Sequence, residues 1–343
     1  MESQGRFANS PYLTKGVQLP KVSVMRRGSR SFSTPRVRFP EDEGAHPDFS
    51  VEWWYGHFNL ADSRGGQYGV MAAYFSVGVR IIAISDFSVE QFYHAVSGSA
   101  LHQAEGFFDL RWGRDHWYRT ENGSFSYCLE SHGPEIGLNL RAASEKPPLP
   151  GCGEGVVRWS GGDSYYYSLT RLHAGGQIEL RGKTLDVEGI GVIDHQWMAS
   201  LGRGGWDWFC IQLENNTEII FWHIVNLSES VESRDLTIMY PDSSIHHTRR
   251  FTLERLDSWV SPDSGREYGT AWRVREKSSD LDLTVRARYP QQEIRMLESL
   301  SASIFPFWEG STDVMGRLDG EAVSGTGYAE LVRPPVDEAA SNL

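Results

Sequence analysis

The sequence predicts an all-β protein, a sandwich or barrel, and three observations carry that prediction. From residue 37 onward, short apolar or alternating runs recur, punctuated by Gly, Asn, Asp and Pro, which is the pattern of strands and tight turns. Few windows carry an apolar stripe at helical spacing. The chain has 343 residues with 12 Trp, 14 Tyr and 16 Phe, enough to bury a large core without disulfides or metals, and about two domains' worth of length.

In chain order, residues 1–35 are rich in Ser, Gly and Arg and read as an extended arm. The runs 69–77, 107–112, 124–129, 155–159, 165–172, 177–181, 236–240 and 281–288 read as strands. Only 79–93 and 291–301 suggest helices. The segment 145–155, with Lys146-Pro147-Pro148-Leu149-Pro150-Gly151, reads as an exposed loop, and the last ten residues as a polar tail. One hairpin can be drawn in detail. Residues 206–213 and 218–226 flank Asn215-Asn216, and Asn tolerates the positive φ of a two-residue turn. That register sets Trp208 opposite His223, Trp206 opposite Val225, Cys210 opposite Phe221 and Gln212 opposite Ile219, all on one face. Phe209, Ile211, Ile220 and Trp222 then fall on the other. A face with two indoles, an imidazole and an amide suits a ligand cavity.

The formal charge of −12 repels phosphate backbones, so no nucleic-acid partner is expected. The basic cluster Lys15, Lys21, Arg26, Arg27, Arg30, Arg36 and Arg38 belongs to the N-terminal arm. Cys128, Cys152 and Cys210 lack metal-type spacing and read as reduced, mostly buried thiols. No apolar run approaches a membrane span and no signal-peptide pattern opens the chain, so a cytoplasmic protein is expected. A Gly-x-Ser-x-Gly elbow and a phosphate-binding loop are both missing, and Gly151-Cys-Gly153-Glu-Gly155 has the wrong spacing for a dinucleotide fingerprint. His46, His57, His94, His195 and His223 are scattered, so neither a metal nor another cofactor is expected.

Two segments stand out. In Glu52-Trp53-Trp54-Tyr55-Gly56-His57-Phe58, strand alternation points Glu52 and Trp54 one way, Trp53 and Tyr55 the other. In Gly189-Ile-Gly191-Val-Ile-Asp194-His195-Gln196-Trp197, His195 and Trp197 share a face opposite Asp194 and Gln196, unless a bend or bulge near Gly191 brings Asp194 to His195.

Together these residues closely resemble a known family. Phe39-Pro40…Gly44-x-His46 with Glu52-Trp53-Trp54-Tyr55, then Gly191-x-x-Asp194-His195-Gln196-Trp197, Gly205-Trp206-Asp207-Trp208-Phe209, Phe307-Trp308-Glu309-Gly310 and Gly325-x-Gly327-Tyr328-x-Glu330-Leu331 are similar to the carotenoid 1,2-hydratase (hydroxyneurosporene synthase) and AttH-like lipocalin-like family, over roughly residues 37–332. Glu43 departs from that pattern, since many relatives are expected to carry histidine there. The resemblance implies two consecutive lipocalin-like domains, a sandwich-like unit over 36–203 and a barrel over 204–335, between the arm and a tail over 336–343. It also implies a pocket near their junction that receives a hydrophobic polyene or isoprenoid. Some relatives add water to a terminal double bond, and others fold a polyene for cyclisation, decalin-forming [4+2] cyclases included.

Protonating an alkene needs a carboxyl that keeps its proton, and desolvation among aromatics does that. Asp194 is the first candidate, with His195 as its partner or as the acid itself. Glu52 or His223 would position water or collect the last proton. Trp197, Trp208 and Trp222 would face a cation, at most two of them in one pocket. His46, Trp54, Tyr55, Trp206 and Trp308 complete the expected substrate-binding set. The alternatives are a pericyclase, in which the same residues hold a reactive conformer, and a non-catalytic carrier of a lipophilic ligand. Oligomeric state is not readable.

Overall fold

A computed structural model of the chain describes residues 37–120, 125–159, 162–200, 204–226, 230–295 and 306–332. The arm, the tail and most of 291–301 lie outside them. Apart from short 3-10 turns at Glu41–Glu43 and Gly151–Gly153, the described chain is β structure in two curled antiparallel sheets. No helix among the described residues is long and apolar enough to cross a membrane.

The first sheet comprises β1 (Val51–Asp62), β2 (Gln67–Phe75), β3 (Val79–Asp86), β4 (Gln91–Gly98), β5 (Leu101–Gln103), β6 (Asp109–Trp112), β7 (Asp115–Arg119), β8 (Ser126–His132), β9 (Ile136–Ser144), β10 (Leu149–Pro150), β11 (Val156–Trp159), β12 (Gly162–Leu180) and β13 (Lys183–Met198). The second comprises β14 (Gly205–Leu213), β15 (Glu218–Val225), β16 (Val231–Met239), β17 (Ile245–Thr248), β18 (Phe251–Val260), β19 (Glu267–Glu276), β20 (Leu281–Ala287), β21 (Glu293–Ile294), β22 (Phe307–Leu318) and β23 (Glu321–Val332). In the first, β1 lies between β2 and β13, and β13 pairs onward to β12. In the second, β14 lies between β15 and β23.

Each curled sheet encloses its own core. Trp54, Phe58, Trp117, Tyr127, Tyr167 and Ile193 pack inside the first, and Phe209, Phe221, Trp272, Val285, Trp308 and Leu331 inside the second. The outer faces of β1–β3 and β12–β13 then pack against the outer faces of β14–β15 and β22–β23. Residues of both sheets mix there: Tyr55, Met71 and Ile81 with Phe307 and Tyr328, and Tyr166 and Val192 with Trp208, Cys210 and Trp222. Gly69 lets the sheets approach closely, since a Cβ there would stand 2.5 Å from Ser311 Oγ.

This double burial explains why 79–93 reads as a helix in sequence. It is the hairpin of β3 and β4. Val79 to Ile84 is buried on both faces, so apolar residues run continuously where a half-exposed strand would alternate. The runs 165–172 and 177–181 are likewise one strand, β12. It carries a bulge between Leu169 and Leu172, opposite Ile193 and Gly191.

The β14–β15 hairpin differs from the predicted register by one residue. Leu213 N–H bonds Thr217 O (2.8 Å) and Asn216 N–H bonds Leu213 O (3.2 Å), so the loop holds three residues, Glu214 to Asn216, with Asn216 at φ 61°. A three-residue loop that ends in a left-handed residue is the next commonest hairpin after the two-residue form. The slip places Trp208 opposite Trp222 and Asp207 opposite His223. Because side chains alternate, Trp222 joins Trp208 and Trp206 on the outer face, while His223 turns inward beside Phe251, ring centroids 5.3 Å apart.

Candidate functional site

The strand pair β1–β13 sorts the sequence-predicted residues onto two faces. In their register Trp54 lies opposite His195 and Tyr55 opposite Asp194, and neither strand is bulged there. The bulge that does occur sits in β12, below Asp194, and re-aims Arg171 toward Glu218 of β15 instead of turning Asp194. Asp194 and His195 therefore point to opposite sides of the sheet and do not meet.

On the outer side a cleft opens between the two sheets. The first sheet contributes Trp53, Tyr55, Tyr166, Asp194 and Gln196, and the second Trp206, Trp208, Trp222 and Glu330. Trp53 and Trp206 lie nearly parallel across it, 11° between planes and 6.4 Å between centroids. Asp194 accepts hydrogen bonds from Ser168 Oγ and from Tyr166 OH (3.2 Å), and Trp208 Nε1 donates to the same Tyr166 hydroxyl (3.1 Å). Burial raises the Asp194 carboxyl to about 7 against those two donors. Glu330 stands opposite Trp208 on β14. Burial raises it to about 8, the Trp206 N–H opposes the rise, and the nearby Asp194 charge adds to it. Behind Glu330, directly across β22–β23, lies Glu309, which accepts a 2.7 Å hydrogen bond from Tyr55 OH. Burial, then the charge of Glu330, push Glu309 well up. The Trp222 indole N–H is buried without a hydrogen-bond partner among the described residues.

On the inner side, facing the first core, His46 Nδ1 and His195 Nε2 both contact Glu52 Oε1, at 2.7 and 2.9 Å. Their outer nitrogens face Asp42: His195 Nδ1 is 3.1 Å from its carbonyl oxygen and His46 Nε2 is 3.4 Å from its carboxylate. Trp54 stacks on His195 and Trp197 on His46, centroids 4.6 and 3.8 Å apart. Burial pushes Glu52 up, but the bonds from His195 and His46 outweigh it and hold the carboxyl at about 2. Glu43, the position that departs from the family pattern, is turned away from this cluster and bound by Arg119 and by Tyr127 OH (2.5 Å).

Of the sequence-predicted site residues, Tyr55, Asp194, Trp206, Trp208 and Trp222 thus meet in the cleft. His46, Glu52, Trp54, His195 and Trp197 meet on the inner face, against the expectation that Glu52 and His195 join Asp194. Two reach neither place. His223 is turned aside by the register slip, and Trp308 is buried in the second core, its Nε1 donating to Pro290 O (2.6 Å). Glu330 and Trp53 enter the sequence reading only as members of family-like motifs, and Tyr166 only within a strand run, without a site role. Alternation in Tyr328-x-Glu330 carries the signal for Glu330, but β14, the strand that brings the cleft indoles beside it, is more than a hundred residues away in sequence.

The fold is similar to that of a putative AttH from Nitrosomonas europaea, with TM-score 0.77 at 21% identity over 87% of this chain and 97% of that one. It is also similar to kievitone hydratase from Nectria haematococca (TM-score 0.73, 17% identity, 88% and 96% covered) and to CghA (0.58, 13%, 83% and 88%). No curated protein matches the sequence. The family model described as AttH-like matches residues 31–333, and the chain belongs to the AttH-like family.

Proposed function

We propose that the chain is a lyase- or isomerase-type enzyme that protonates a carbon–carbon double bond of a hydrophobic polyene or isoprenoid, leading to hydration or cyclisation. The observation that carries this reading is one carboxyl from each sheet lining a single indole-walled cleft. Glu330, raised by burial beside the Asp194 charge and facing no hydroxyl donor, is the proton donor. Asp194, which accepts two hydroxyl hydrogen bonds that favour its carboxylate, is the acceptor.

The alkene π pair takes the Glu330 proton and forms the new C–H bond, which leaves a tertiary cation. The faces of Trp53, Trp206, Trp208 and Trp222 stabilise that cation, at roughly 0.5–2 kcal/mol per contact. In hydration a water lone pair forms the C–O bond and its proton passes to Asp194. In cyclisation a second double bond captures the cation and the ring loses its proton to Asp194. The unpartnered Trp222 N–H is placed to hold the attacking oxygen. Similarity to kievitone hydratase supports the hydration branch. Glu52 and His195, across the sheet, take no part in the transfer.

The test is incubation with acyclic isoprenoid polyenes, from farnesol to lycopene, in heavy water. One carbon-bound deuterium per product is expected, with turnover lowered roughly 10²–10⁴-fold in Glu330→Gln and Asp194→Asn. A product without carbon-bound deuterium, the pericyclic outcome, overturns the reading. So does full activity in Glu330→Gln.

A further inference from the structure

The His46–Glu52–His195 cluster lies on the other face of β13 from the cleft and is not used by the chemistry proposed above. Its hydrogen-bond polarity does not close on itself. A neutral imidazole offers one N–H and one lone pair. The outer nitrogen of His195 faces a backbone carbonyl, which only accepts, so Nδ1 carries the proton and Nε2 presents its lone pair to Glu52 Oε1. His46 repeats the arrangement, with Nε2 toward the Asp42 carboxylate and Nδ1 toward the same Glu52 oxygen. Two lone pairs and a carboxylate oxygen thus converge, all three donor atoms within 4.8 Å of one another. With both rings neutral these lone pairs face a carboxylate to which the His46 backbone N–H donates (3.1 and 3.2 Å), and either extra protons, which turn the rings into donors, or one cation relieves the repulsion.

We propose that His46 Nδ1, Glu52 and His195 Nε2 bind one divalent transition-metal ion of the Zn²⁺ type. Two imidazoles and a carboxylate are a ligand set such ions take, with one position left for water. The surroundings match what metal-bound histidines have: each ring's other nitrogen faces a carboxylate or a carbonyl oxygen, which fixes the tautomer. Both rings are also held by stacked indoles, so the donors are preorganised. At 2.7 and 2.9 Å from the two ring nitrogens, Glu52 Oε1 has to move by only about half an ångström from each to share an ion at ligand distances of about 2.0–2.2 Å. His46 keeps 15% of its side chain exposed, which gives an ion a route in. The three donors come from the segment before β1, from β1 and from β13, so the ion would pin that segment to the barrel.

The full-length protein is dialysed against a chelator and titrated with Zn²⁺ by calorimetry, then with Co²⁺ by visible absorption. One ion per chain at micromolar or tighter affinity is expected, with Co²⁺ bands of a nitrogen and oxygen site that lack thiolate charge transfer. His46→Ala, at the accessible ligand, should weaken binding roughly 100-fold or more while near-ultraviolet circular dichroism shows the fold retained. His195→Ala should do the same if it folds. Cys152, Asp235 and His247 also gather within 4.8 Å, so the Cys152→Ser/His247→Ala double variant serves as control and should bind unchanged. Absence of stoichiometric binding, affinity unaltered in His46→Ala, or loss of binding in the control variant overturns the proposal and leaves protons as the charge in the cluster.

Discussion

Glu218 shows how single residues decide whether the sheets stay joined. Its fully buried carboxylate receives Lys146 Nζ at 2.5 Å and Arg171 Nε, and both cations come from the other sheet's side of the junction. Replacing it with Gln leaves two buried cations without their counter-charge, so Glu218→Gln is expected to cost about 3–5 kcal/mol in urea unfolding. A loss below about 1 kcal/mol would show that solvent reaches the pair. Neither cation was legible as part of the junction. Lys146 sits in a Pro-rich stretch that reads as an exposed loop, and Arg171 is aimed by a bulge that no periodicity announces. Asp194 and His195 show the opposite case. Period-two alternation alone puts them on opposite faces, and only the supposition of a bend near Gly191 joined them. Tyr166 was hidden by its neighbours: in Tyr165-Tyr166-Tyr167 composition is uniform, and pairing with β13 decides that the middle hydroxyl faces Asp194.

At the level of elements, the β14–β15 hairpin was legible in place and direction but not in register. The loop has one residue more than the Asn-Asn pair suggests, and that residue count exchanges His223 for Trp222 at the cleft. Asn216 sits at φ 61°, where a β-branched side chain is strained. Asn216→Val should therefore lower stability by about 1–2 kcal/mol, and Asn216→Gly should leave it nearly unchanged, both read by thermal unfolding. Equal losses in the two variants would mean the Asn side chain, not its backbone, fixes the turn. The β2–β3 pair, covered on both faces, lost its alternation for a reason that belongs to the whole molecule. A second sheet lies on it, and nothing local announces that sheet.

Across the whole molecule, the cleft exists because each curled sheet turns one aromatic outer face toward the other, and each lines the cleft with one carboxyl. Sequence alternation placed Trp206 and Trp208 on one face and Trp53 and Tyr55 on another. It could not set those faces against each other. Glu330 is half-buried and flanked by Trp206 from β14, Glu309 from β22, Tyr328 of its own strand, and Tyr55 and Asp194 from the first sheet, with no cation among these neighbours. Its proton is therefore held up to about 8. The sign follows directly: below that pH the donor is loaded, and above it the carboxylate has nothing to give. Turnover should fall as pH rises through about 8, and a pH–rate profile that instead rises there would remove Glu330 from the donor role.

The most direct measurement needs no substrate. Infrared difference titration follows the C=O stretch of protonated carboxyl groups in the intact protein. In the wild-type chain a component of that band should persist at neutral pH and vanish as pH passes about 8, and Glu330→Gln should remove that component alone. Loss of all protonated-carboxyl signal below neutrality, or a component near pH 8 that survives in Glu330→Gln, would contradict a loaded acid in the indole cleft.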